Sequence, residues 1–92
     1  MEITWDPEKA AANPKKHQGV TFEEAKDVLL DPFALVREDE DAGEEQRFVA
    51  LGTGAKGRIL VVVYSYREQI IRLISAWKAN KPQQRRYEEQ FR

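Results

Sequence analysis

Two β-prone runs, Arg58–Ser65 and Gln69–Trp77, stand only three residues apart, and this spacing constrains the fold more than any other feature of the chain. Both are dense in β-branched and aromatic side chains, and a link this short can only fold the chain back on itself as an antiparallel hairpin. Arg47–Leu51 is a third run, joined to the second through Gly52–Gly57, and Ala34–Arg37 is a candidate first strand. Successive strands with short connections make a four-stranded antiparallel meander. Between its first two strands lies Glu38–Glu45, with six carboxylates in eight positions, which cannot enter a core and reads as a solvated loop.

Ahead of Phe33 the pattern is helical. Ile3-Thr4-Trp5 is apolar and β-prone, an edge strand or a plug under the core. Asp6-Pro7 then opens a helix, with an N-cap carboxylate and proline at the first helical position. Asn13-Pro14 should stop or kink it, because proline lacks the amide donor. A further turn through Lys15, Lys16 and His17 precedes Gly19. Thr21-x-x-Glu24 is a capping-box pattern, followed by Phe22, Ala25, Val28 and Leu29 on one helical face and ended by Asp31-Pro32. Asn80-Lys81-Pro82 begins a last polar helix anchored by Tyr87 and Phe91. The expectation is one α+β domain over residues 1–92: two N-terminal helices, a four-stranded antiparallel sheet and a C-terminal helix. It has two layers, which leaves one sheet face open to water or a ligand.

Composition removes several function classes. There is no cysteine, so disulfides and thiolate metal sites are excluded, and a single histidine rules out a multi-histidine site. No cofactor is expected. The longest apolar run, Ile59–Tyr64, is far short of a bilayer, and no signal-peptide pattern opens the chain, so a soluble cytoplasmic protein without a membrane partner is expected. Gly52-Thr-Gly-Ala-Lys-Gly57 faintly resembles a phosphate loop, but Arg58 and an apolar strand follow where Ser/Thr and a helix are required, so it reads as a hairpin turn. The net charge of −1 conceals a split: residues 1–55 carry 6 Lys/Arg and 13 Asp/Glu, whereas residues 56–92 carry 9 and 3. A basic C-terminal half can build a positive face for a polyanion.

Basic residues recur beside the strands at Arg47, Arg58, Arg72 and Lys78, with Arg85 and Arg86 on the last helix. Strict alternation places Arg72 with Ile74, Ala76 and Lys78, and Ile71, Leu73, Ser75 and Trp77 on the other face, where Trp77 would pack on the helix layer. A bulge near Ser75 would instead turn the indole toward the basic face beside Lys78. These cations are either ordinary surface charge or a phosphate cradle. Metal-free RNA cleavage needs a base for the 2′-hydroxyl, cations for the developing phosphorane and an acid for the leaving oxygen, and guanidinium suits the middle task. His17 is either a surface or capping residue, or a general base, since imidazole ordinarily titrates near neutrality.

An ordered set of segments carries a family resemblance over nearly the whole chain. It runs through Trp5-Asp6-Pro7-Glu8-Lys9-Ala10 and Asn13, Lys16-His17-x-Gly19-Val20-x-Phe22-Glu23-Glu24-Ala25, and Asp31-Pro32. It continues in Glu45-x-Arg47-Phe48, Gly52 and Arg58-x-Leu60-Val61-Val62-Val63-Tyr64, then Arg72-x-Ile74-Ser75-Ala76-x-Lys78-Ala79 and Arg85-Arg86-Tyr87. In this order they resemble the BrnT ribonuclease toxins of type II toxin–antitoxin systems. The resemblance implies a RelE/ParE-like fold and metal-independent RNA cleavage. It also implies neutralisation by a ribbon-helix-helix antitoxin and contact with operator DNA only through the antitoxin complex. Carried over residue by residue, it implies Arg58, Arg72, Lys78 and Tyr87 as the phosphate-binding and proton-transfer set. Glu45 and Arg47 would be an orienting pair, with His17 as base. Three features depart from the family pattern: Pro14 inside the first helix, Gln18 lengthening the His-Gly step, and Trp77 where a basic residue is usual. Trp77 stacks on a base in one reading. In the alternative it marks a weak or inactive member that serves mainly as antitoxin partner and corepressor.

Overall fold

The first strand begins at the second residue. In the computed structural model, which describes residues 2–40, 43 and 45–92, the chain runs β1 (Glu2–Trp5), α1 (Pro7–Lys16), α2 (Phe22–Ala25), β2 (Leu35–Asp39), β3 (Arg47–Thr53), β4 (Ile59–Arg67), β5 (Ile70–Lys78) and α3 (Lys81–Glu89). The β2–β5 meander is antiparallel as expected, with register Leu35↔Leu51, Leu51↔Val61 and Val61↔Trp77. The sheet itself is not the four-stranded antiparallel one anticipated. It has five strands in the order β1-β5-β4-β3-β2, and β1 pairs parallel with β5 through Ile3↔Ile71 and Trp5↔Leu73. A nine-residue β5 at the sheet edge would leave a row of amides and carbonyls unpaired, and β1 satisfies the first half of that row.

Nor does the domain open on two comparable helices. After Thr21 caps the Glu24 amide at 3.1 Å, α2 lasts a single turn and continues as a 3-10 turn, Lys26–Leu30. The first helix does not stop at Asn13-Pro14 but runs on to Lys16, with the His17 amide bonded to the Asn13 carbonyl at 2.9 Å. Of the acidic stretch 38–45, Asp41, Ala42 and Glu44 lie outside the described residues.

Asn13 explains how α1 is held. Its side-chain amide donates to the carbonyls of Ala76 and Val20, both at 2.8 Å, and its oxygen accepts from the Ala76 amide at 3.2 Å. One buried side chain thereby makes the hydrogen bonds of a strand on the part of β5 that β1 does not reach. The main core lies between the N-terminal helices and the sheet: Val20, Phe22, Ala25 and Val28 against Ala50, Leu60, Val62, Tyr64, Ile71, Leu73 and Ala76. Trp5 closes it edge-on against Phe22 at 5.8 Å. Full burial of Phe22 alone contributes about 1.5–3 kcal/mol. A smaller cluster, Leu51, Val61, Ala79 and Tyr87, lies on the other face under α3, so that face is partly covered rather than wholly open.

One irregularity redirects side chains. Val63 faces Ser75 and Tyr64 faces Leu73, so Ile74 is an extra residue in β5. Beyond this bulge the alternation inverts. Ser75 and Trp77 join Arg72 on the α3 face, while Ala76 and Lys78 move to the helix-layer face, which corrects the regular alternation expected from sequence.

Candidate active site

The α3 face changes character along its strands. The register places Leu35, Leu51, Val61 and Trp77 in one cross-sheet row, then Arg37, Val49, Val63 and Ser75 in the next. The third row is polar through all five strands: Asp39, Arg47, Ser65, Arg72 and Thr4. With strands about 4.8 Å apart, the Arg47 and Arg72 backbones lie about 10 Å from each other across Ser65. Arg47 is steadied by Glu45 at 3.2 Å, whereas the Arg72 side chain is exposed and makes no hydrogen bond or ion pair with another described residue. Two arginines flanking a serine on one sheet face are suited to binding phosphates of a single strand.

A second constellation forms at the far end of β5. The last turn of α1 delivers Lys16 and His17, and left-handed Gln18 (φ 55°) and Gly19 (φ 80°) then reverse the chain, with the Val20 amide bonded to the His17 carbonyl at 3.1 Å. A non-glycine residue in that region is strained by about 1–2 kcal/mol, so the turn is held by its surroundings, chiefly the Asn13 bonds to Val20 and Ala76. The result is a cleft of about 410 Å³ lined by Lys16, His17, Gln18, Trp77 and Lys78. The imidazole and indole centroids are 5.7 Å apart with the rings inclined at 40°. One proton acceptor and two ammonium groups thus share a cleft, a combination able to deprotonate a hydroxyl and stabilise a phosphorane.

Arg58 and Tyr87 stand elsewhere, in two latches. Arg58 grips Glu24 with both forks, Nε to Oε1 at 2.7 Å and Nη2 to Oε2 at 2.6 Å. The hydrogen bond from Arg58 outweighs burial and holds the Glu24 carboxyl below its ordinary range, and the same pairing raises Arg58. The Tyr87 hydroxyl donates to Asp31 Oδ2 at 2.5 Å and accepts from Thr53 at 3.1 Å, while the Thr53 amide donates to the same carboxylate at 3.0 Å. Burial opposes the Asp31 charge, but the bonds from Tyr87, Thr53 and Phe33 prevail and lower its pKa; burial and Asp31 raise that of Tyr87. These latches fasten the α2 segment to the β3–β4 hairpin and α3 to the sheet. At Gly54 of that hairpin a Cβ would meet the Glu24 carbonyl at 2.9 Å, so only glycine allows the approach.

The seven residues singled out from sequence therefore fall in three places. His17 and Lys78 meet in the cleft; Arg72 and Arg47 share the polar row, with Glu45 paired to Arg47; Arg58 and Tyr87 sit in the latches. Lys16, Ser65 and Thr4 were not singled out. A lysine directly before His17 was a usable signal for the first, whereas the other two emerge only from the register with Arg72. Among the described residues, no group of three or more His, Asp or Glu side chains is assembled as a metal site, and no helix is long and apolar enough to cross a membrane.

No curated protein matches the sequence. The fold is similar to that in the crystal structure of the Brucella abortus ribonuclease toxin, BrnT, with a TM-score of 0.68 and 24% identity, over 88% of this chain and 99% of that one. A family profile described as the ribonuclease toxin BrnT of type II toxin–antitoxin systems matches residues 5–83. The chain belongs to the BrnT family of ribonuclease toxins of type II toxin–antitoxin systems.

Proposed function

We propose that this chain is an endoribonuclease toxin that cleaves RNA without a metal, with the His17 cleft as its chemical centre. The observation that carries the reading is the shared cleft of His17, Lys16 and Lys78, at one end of a strand whose other end bears Arg72 in the polar row. His17 takes the proton of the 2′-hydroxyl as its oxygen bonds to phosphorus. Lys16 and Lys78 stabilise the phosphorane, and the leaving 5′-oxygen takes a proton from an ammonium or from water as its bond to phosphorus breaks. Arg72 and Arg47, the latter oriented by Glu45, bind flanking phosphates. Arg72 and Lys78 face Ser65 and Leu60, five steps apart on β4, so about 17 Å separates them, a stretch of several nucleotides. Arg58 and Tyr87 act through the latches, positioning the elements that carry the site. The absence of cysteine and the single histidine support metal independence.

The partner follows from the family: a cognate antitoxin, of ribbon-helix-helix type, that blocks the toxin and carries the complex to operator DNA. The chain works where its substrate is, in the cytoplasm. A second reading has one observation in its favour. Trp77 stands where a family member usually has a basic residue, as in a chain that has lost activity and serves as corepressor. The test is incubation of the purified chain with RNA in EDTA. Cleavage leaving 2′,3′-cyclic phosphate ends supports the first reading; intact RNA from a folded protein that still binds its antitoxin supports the second, and cleavage that requires added magnesium overturns the mechanism.

A further inference from the structure

Trp77 owes its position to the extra residue in β5. With regular alternation it would point with Ile71 and Leu73 into the helix-layer core; the bulge at Ile74 turns it to the opposite face, at the rim of the His17 cleft. One side of the indole packs on the cluster of Leu51, Val61, Ala79 and Tyr87. The side chain is nonetheless half-buried rather than enclosed, and it lines the cleft with Lys16, Gln18 and Lys78. The imidazole meets it at 40°, with the ring centroids 5.7 Å apart.

We infer that Trp77 is the nucleobase-recognition residue of this site, stacking on an unpaired base of single-stranded RNA while Lys16 and Lys78 hold the adjoining phosphate. The inference rests on the RNA-cleaving reading above. A ring supported from behind and bordered by two ammonium groups presents an apolar π-face beside cations, the pairing by which single-stranded nucleic acid is bound. A base within a duplex has both faces covered and cannot stack on such a ring. The cleft volume of about 410 Å³ falls in the range of small-ligand sites, roughly 300–1,000 Å³.

The test uses the full chain and three uncleavable 2′-deoxy heptamers, all-adenine, all-thymine and fully abasic, with binding read by fluorescence anisotropy and folding by thermal denaturation. W77A should bind the base-bearing heptamers about 5- to 150-fold more weakly, equivalent to about 1–3 kcal/mol, and bind the abasic heptamer as the wild type does. W77F, which keeps a ring, should restore most of the loss. W77R, which places the basic residue usual in the family, should tighten binding of all three heptamers alike and erase the preference for bases. Equal losses on abasic and base-bearing heptamers would show a structural or electrostatic role and overturn the inference. If wild-type protein prefers base-bearing heptamers and W77A keeps that preference, the base is read elsewhere and the inference alone fails. If wild-type protein binds none of the three, the RNA-directed reading fails with it.

Discussion

Asn13 makes three hydrogen bonds to buried backbone from a single side chain. In N13A the Ala76 amide and the Ala76 and Val20 carbonyls lose their partner, and each buried group left unpaired costs about 1–3 kcal/mol. We expect a loss of about 3 kcal/mol or more in urea denaturation, together with slackening of the His17 turn; a loss under 1 kcal/mol would contradict this role. The latches give a second prediction at this scale. Glu24 and Asp31 have folded pKa values below their ordinary 4.5 and 3.8. A depressed carboxylate contributes stability above its unfolded pKa and loses it as pH falls through the folded value. Stability should therefore decline below about pH 4.5, and less steeply in E24Q and D31N than in the wild type. At neutral pH, R58A leaves the buried Glu24 charge unpaired and should cost about 3 kcal/mol. An acid profile unchanged by both substitutions would remove the latches from the account. These roles were hidden in the sequence because the partners are distant: Arg58 lies 34 residues from Glu24, and Tyr87 lies 56 from Asp31. Asn13-Pro14 read as a helix stop because nothing local reveals a partner on β5.

At the scale of elements, the hairpins were legible and the long-range pairing was not. Gly52–Gly57 and the short link after Ser65 each dictate a turn, whichever way the rest of the chain folds. Ile3-Thr4-Trp5 holds no information about its partner, since a four-residue strand can pair with any free edge. A bulge near Ser75 was one of two registers the sequence allowed, and Ile-Ile-Arg-Leu-Ile-Ser-Ala-Trp fits either by composition, so the choice between them was not legible. The bulge at Ile74 decides the site: it separates Arg72 from Lys78 by face and brings Trp77 to His17. A prediction follows for β1. Deleting residues 1–5 exposes the β5 edge from Ile70 to Leu73 and removes Trp5 from Phe22. The truncated chain should self-associate in light scattering at concentrations where the full chain does not. A truncated chain that stays monomeric and equally stable would show that β1 is dispensable.

Across the whole molecule, charge and topology act together. The acidic first half supplies the helix layer and the carboxylates of both latches, while the basic second half supplies Arg72 on the α3 face, Arg86 on α3 and Lys78 at the end of β5. If Arg47 and Arg72 grip RNA phosphates, each alanine substitution should weaken binding to single strands regardless of sequence. Each should also flatten the dependence of log K on log salt by about 0.7 per contact removed. An unchanged slope would place the RNA elsewhere. The central claim, that this chain cleaves RNA with His17 as the base, is tested most directly by the single-turnover cleavage rate of H17A against wild type in EDTA, with both proteins shown to be folded. The account predicts wild-type cleavage with cyclic phosphate ends and a fall of about 10²–10⁴-fold in H17A; cleavage by H17A at the wild-type rate would contradict it.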